Sequence, residues 1–328
     1  MEINRRALYN SLRMNWILEP TIEVEAWQVE DYRAMPLDAL FERLEDRNIR
    51  LDKNSFVAFA DTLDTPEELA DALFSEIPDD MELYDRVYLV VFELWRRLLP
   101  EKPCLSIFCD ELDHQMYLYD RNQTASMESI EDALANLQVI LDENTDDGAD
   151  PFEAFECINS GCANDLESFL YDFISEQIDN NNESYAVELI EAFGIYVQDI
   201  KWFEFLRARV ISSTDPDEAN QIVKLLVNNK SIGPDLEFYL EILTFLVAYG
   251  DKETFDSLVK KSVPLLQIEE DFQALILICA DFYHRLDREN VEKALQALLK
   301  DRSKRDLNSP IDLKDIHFSE FFKILAKS

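Results

Sequence analysis

Three gapless segments in the second half of the chain constrain the fold more than any other feature. They are TDPDEANQIVKL from Thr214, GDKETFDSLVKK from Gly250 and LDRENVEKALQA from Leu286, each starting 36 residues after the last. All three carry Asp, any residue, an acid, any residue and an apolar residue, followed by an apolar pair such as Ile222 and Val223. Apolar residues at that spacing lie on one face of a 3.6-residue helix. Asp215, Asp251 and Asp287 stand where a helix N-cap is expected, since a carboxylate there can accept an otherwise unpaired amide of the first turn. The acid that follows suits the positive end of the helix dipole, and Pro216 suits the first helical position.

A companion series begins sixteen residues earlier, at Asp199, Asp235 and Asp271. Phe203, Tyr239 and Leu275 follow four residues after these Asp, and Leu206, Ile242 and Ile278 three further on, again one helix face. A weaker copy lies upstream as DLESFLYDF from Asp165 and NNESYAVEL from Asn181. Four helix pairs are thus predicted between Asp165 and Arg305. The short spacing within each pair requires antiparallel neighbours. A lone hairpin cannot bury its apolar face, so the hairpins must stack as an α-solenoid.

In period, and in the fragments AYGDKETFDSLVKKSVP and ADFYHRLDRENVEKAL, this segment resembles the tetratricopeptide and related α-hairpin repeats; the HEAT-like class is similar in kind. The resemblance covers under half of the chain and implies stacked helical hairpins. After Arg305, DLNSP breaks the pattern. IDLKDIHFSEFFKILAKS then reads as an amphipathic helix, with Ile316, Phe318, Phe321, Phe322 and Leu325 on its apolar face, closing the open end of the stack.

Residues 1–160 also read as helical, with less regularity. MPLDALFERLEDRN, TPEELADALFSEI and DDMELYDRVYLVVFELWRRLLP have helical spacing, and Thr65, Pro66 and Glu68 make a capped start. Val87, Val90, Val91, Leu94, Trp95 and Leu98 mark the third as the central helix, ended by the prolines of PEKP. CLSIFCDELDHQMYLYD fits a helix better than a short β-hairpin. On it Asp110, Asp113 and His114 share a face, which is read as a partly exposed polar surface in preference to a metal site. Arg5, Arg6 and Arg13 beside Leu8, Leu12 and Trp16 fit a first helix docking on the core, or a short organelle-targeting helix. The expected fold class is all-α: an irregular helical domain over residues 1–147, hairpin repeats over 148–305 and a capping helix over 306–328.

Composition agrees with that class. Five Gly and eleven Pro are too few for a turn-rich β fold, while 21 Phe and 12 Tyr provide a core. The five Cys form no C-x-x-C pair and are odd in number, so a disulfide framework and a zinc ribbon both lack support, and a cytoplasmic setting is expected. No phosphate-binding glycine loop, H-E-x-x-H or G-x-S-x-G occurs, and the three His have no sequence-visible nucleophile partner. A noncatalytic protein without cofactor is expected.

Charge is the more informative property. The net value is −37, and residues 122–200 contain nineteen Asp or Glu and no Lys or Arg. Such a surface disfavours nucleic acid and anionic membranes as direct partners and favours a basic protein or peptide. Within it LDENTDDGADP sets Asp142, Asn144, Asp146, Asp150 and Glu153 at positions 1, 3, 5, 9 and 12 of a calcium loop over 142–153. Position 6, where a glycine must turn the backbone, is Asp147, and Gly148 comes one place late. Asp150, Pro151 and Glu153 also form a helix start, which is the preferred reading. Asp142, Glu143, Asp146, Asp147, Asp150 and Glu153 are therefore the candidate partner-binding residues. The expected function is a scaffold or chaperone-like adaptor that holds a basic protein or peptide. The alternative is an acidic mimic that sequesters a nucleic-acid-binding protein.

Overall fold

The computed structural model describes residues 5–74, 81–121, 128–312 and 314–326. Among them are seventeen α-helices and no β-strand, only an isolated antiparallel bridge between Ile268 and Pro310. The fold is all-α, as expected. None of the described helices is long and apolar enough to cross a membrane. By its contacts the chain divides into two compact units, Met1–Leu170 with Ile195–Val197, and Tyr171–Gly194 with Gln198–Ser328. The connection at Asp147 and Gly148 lies inside the first unit.

The first unit contains α1 (Arg5–Leu18), α2 (Leu37–Glu45), α3 (Lys53–Ala60), α4 (Pro66–Ala72), α5 (Met81–Leu98), α6 (Leu105–Asp120), α7 (Glu128–Asp146) and α8 (Pro151–Asn159). The division falls within α9 (Leu166–Asp179). Helix α5 is the centre of the first unit's core. Val87, Val90, Val91, Leu94 and Trp95 are at most 1% exposed, and so are Tyr88, Leu89 and Phe92 between them. A helix can be buried on nearly all sides only if other elements cover each face; α2 and α4 both pack on α5. Each such side chain contributes about 1.5–3 kcal/mol by leaving water. At α4 the Thr65 hydroxyl accepts the Glu68 amide (3.1 Å), and Glu68 in turn accepts the amide of Asp64 (2.8 Å).

Helix α1 docks on the core, as expected, but of the apolar residues Leu8, Leu12 and Trp16 only Leu12 packs there. Leu8 is 55% and Trp16 37% exposed, while Arg6, Ala7 and Tyr9 are buried. The reason is polar. Arg6 reaches Asp110 at 2.7 Å and the Tyr9 hydroxyl reaches Asp85 at 2.6 Å, and these bonds fix the rotation of the helix.

The second unit continues from α9 with α10 (Glu183–Phe193), α11 (Ile200–Ile211), α12 (Pro216–Asn228), α13 (Leu236–Tyr249), α14 (Lys252–Ser262), α15 (Glu269–Arg285), α16 (Glu289–Arg302) and α17 (Ile316–Leu325). Helices α11 and α12, α13 and α14, and α15 and α16 pack as successive pairs, and α13 bridges to both α11 and α15. One continuous core joins them, running from Phe205 through Ile242, Phe255 and Leu275 to Phe321. The Phe255 and Phe282 rings stack at 3.7 Å within it. Gly250 is needed for close packing: a Cβ there would lie 2.5 Å from that of Leu246.

Three of the repeated Asp make no cap bond, among them Asp199, which holds the N-cap position of α11 without accepting an amide there. Asp215, Asp235 and Asp251 accept amides of their helices' first turns, whereas α15 begins before Asp271. Asp271 instead sits in the first turn and accepts the amides of Gln267 and Ile268 at 2.8 and 3.0 Å. Asp287 belongs to the end of α15, with φ 54°, and Arg288 precedes α16. The helix starts therefore keep no single interval. In α17, Phe318, Phe321 and Ile324 are buried, while Ile316 is 75% and Phe322 37% exposed, a rotation from the expected apolar face.

Candidate functional site

The six candidate acids gather at the corner between α7 and α8. Asp142, Glu143 and Asp146 lie in the last turns of α7 and Asp147 follows them, while Asp150 caps α8 and Glu153 lies in its first turn. All six are exposed. The corner is closed by Gly148 at φ 101°, a left-handed conformation open to glycine at little cost. The Gly148 amide donates to Thr145 O at 2.9 Å and the Ala149 amide to Asn144 O at 3.0 Å, which satisfies two carbonyls at the end of α7.

Among the described residues this stretch does not have the geometry of a calcium loop. Its first five positions are helical, and the Asn144 and Thr145 side chains bond back to Ile140 O and Leu141 O at 2.7 and 2.8 Å. Among the described residues no group of three or more His, Cys, Asp or Glu is placed to hold a metal ion. Asp150 acts as the N-cap expected of it, accepting the Phe152 and Glu153 amides at 3.0 and 3.2 Å. Asp142 accepts the hydroxyl of Tyr196 at 2.6 Å; burial, and then that bond, raise the phenol's pKa. Among the described residues none of the six is paired with a cation. The corner can therefore exert an unneutralised negative field on a partner at contact distance.

Helix α6 behaves differently from the exposed polar face expected of it. Asp110 and Asp113 are 4% and 3% exposed and point inward. Asp110 accepts from Arg6 Nε at 2.7 Å, Arg33 Nη2 at 2.5 Å and Asn10 Nδ2 at 2.9 Å. Burial alone would raise its pKa, but Arg6 and Arg33 outweigh it and hold the carboxyl well below the usual range. Among the described residues Asp113 has no cation beside it. It accepts the Ala163 and Asn164 amides at 2.7 and 3.0 Å and Asn164 Nδ2 at 2.9 Å, so it ties α6 to the connection after α8. There burial wins, and the pKa is pushed up to about 6.

A cleft of about 50 Å³ beside these carboxylates is lined by residues that include Arg6, Arg13, Arg33 and His114. Its guanidinium groups are already paired, Arg6 and Arg33 with Asp110 and Arg13 with Asp31 at 2.6 Å. Burial lowers the pKa of His114 and favours its neutral form. Such an arrangement locks α1, α6 and the chain around Arg33 together. Spacing along the sequence could not find this network, because Arg6 and Asp110 lie 104 residues apart. His284, on α15, has a side chain 75% exposed, beside Glu292 at 3.1 Å. Comparison with protein-family models, with curated proteins and with solved structures finds no match, so the function must be argued from the chemistry of these residues.

Proposed function

We propose that the protein is a noncatalytic helical-repeat scaffold or chaperone-like adaptor that engages a basic protein or peptide through the acidic α7–α8 corner. The observation that carries this reading is the exposure of Asp142, Glu143, Asp146, Asp147, Asp150 and Glu153 within a stretch of 79 residues that has no Lys or Arg. Charges placed this way raise the encounter rate with a cationic partner and disfavour nucleic acid and anionic lipid. Neutralising a small patch leaves the fold intact, since Asn at position 150 still caps a helix.

The test is the affinity of a lysine-rich peptide for the whole chain, measured by fluorescence anisotropy at two salt concentrations. Replacing the six acids by Asn or Gln should weaken binding by roughly tenfold and flatten its salt dependence. Equal affinity in the two proteins would remove this role from the corner. The cation-free stretch also supports a second reading, an acidic mimic that occupies a nucleic-acid-binding surface. A mimic's complex with such a protein is dissolved by competing duplex DNA.

A further inference from the structure

In a chain where acids outnumber bases 68 to 31, a cleft of about 350 Å³ between α2 and the start of α5 brings three arginines together. Its wall contains three guanidinium groups, from Arg43, Arg47 and Arg86, and two carboxylates, from Asp46 and Glu82. Helix α2 packs on α5, so the side chains are held together by the core beneath them. Arg86 lies over the Trp27 ring at 5.1 Å and pairs with Glu82 at 2.5 Å, an arrangement that fixes its plane. Its Nε has no hydrogen-bond acceptor among the described residues. Arg43 pairs with Glu30 at 2.5 Å. Arg47 differs from both. Among the described residues its side chain bonds only to the carbonyl oxygen of Arg43, at 2.7 Å, and holds no carboxylate.

The wall thus has two anchored cations and a third whose donors are mostly unused. A planar guanidinium fork matches pairs of oxygens on a tetrahedral oxyanion, and a doubly charged one can draw on several forks at once. The overall charge of −37 does not forbid such a ligand. Screening limits each charge to about 8 Å at physiological ionic strength, so a small anion responds mainly to the wall it touches. A long polyanion would extend into the acidic surface beyond and be repelled. We propose that Arg43, Arg47 and Arg86 form a binding site for a phosphate dianion, either inorganic phosphate or the phosphoryl group of a phosphorylated side chain.

The experiment is a titration of the whole chain with inorganic phosphate, followed by NMR, with ionic strength held constant by sodium chloride. Saturable binding is expected, and Arg47→Gln should weaken it by roughly tenfold, the worth of one charge-assisted contact. Arg47→Gln gives up a single backbone bond, so its melting temperature should match that of the parent. Arg43→Gln is a second variant that should weaken phosphate in the same direction. A phosphoserine peptide that binds roughly tenfold more tightly than phosphate identifies a modified protein segment as the source; equal or weaker binding identifies free phosphate. A response that never saturates, or the same affinity in both variants as in the parent, overturns the site.

Discussion

Arg302 on α16 and Glu269 on α15 form a two-point ion pair whose side chains are only 1% and 3% exposed. The same guanidinium donates to Asp315 at 3.1 Å and lies 4.5 Å from the Phe272 ring, on which Phe318 stacks at 4.1 Å. One side chain therefore joins the last hairpin to α17. Removing it leaves Glu269 charged and buried, with only Arg305 at 4.0 Å and the Gln273 side-chain amide at 3.1 Å as remaining partners among the described residues. Arg302→Leu should cost about 3–5 kcal/mol in urea denaturation, and adding Glu269→Leu should restore a large part of that loss. A loss under about 1 kcal/mol would show that water solvates the pair.

Asp315 makes this junction sensitive to acid. Burial works against its charge, but the His317 amide, Arg305 and Arg302 outweigh burial and hold its pKa at about 2, below the usual 3.8. A depressed carboxyl contributes stability that is complete above its unfolded value and is lost as pH falls through its folded one. The melting temperature should accordingly drop between about pH 4 and pH 2 by more in the parent than in Asp315→Asn. Parallel curves for the two proteins would contradict this.

Asp113 acts with the opposite sign. Its folded pKa of about 6 means that the folded chain binds this proton more tightly than the unfolded chain does. Its contribution to stability falls as pH rises from about 4 to about 6, and the cost is fully present above that. Relative to Asp113→Asn, the parent should lose stability between about pH 4.5 and pH 7, measured by denaturant midpoint at each pH. If the difference between them does not change with pH, the carboxyl is ionised throughout that range.

Four helix ends share one backbone motif and have different residues at its turn. Asn48, Asn181 and Asp287 have φ of 62°, 62° and 54°, and Gly148 has φ 101°. In each, the next amide reaches back to the carbonyl five residues before it, as Arg288 does to Tyr283 at 2.9 Å and Asn182 to Gln177 at 2.8 Å. Side chains other than glycine pay a steric cost in this conformation, which Asn and Asp tolerate best. Asp287→Gly should raise stability by about 0.5–1 kcal/mol, and Gly148→Ala should lower it by about 1 kcal/mol. Calorimetry on the two variants checks both signs.

The sequence by itself determined what depends on near neighbours along the chain. The helix pairs of the second half, the caps at Thr65, Asp150, Asp215 and Asp251, and the buried run of α5 are set by residues within a few positions of one another. Periodicity and capping chemistry report such short-range interactions directly. The glycine at the α7–α8 corner was legible as a breaker of the calcium pattern for the same reason. Only the tertiary structure decided which polar groups are buried. Asp110 and Asp113 turn inward because Arg6, Arg33 and the Ala163 amide, all distant in sequence, arrive to satisfy them. Without those partners the desolvation of two carboxylates would have kept that face of α6 in water. The rotation of α1, the start of α15 ahead of Asp271 and the clustering of Arg43, Arg47 and Arg86 follow from the same kind of long-range placement, where the cost of burying charge is settled by whichever partner the fold brings near.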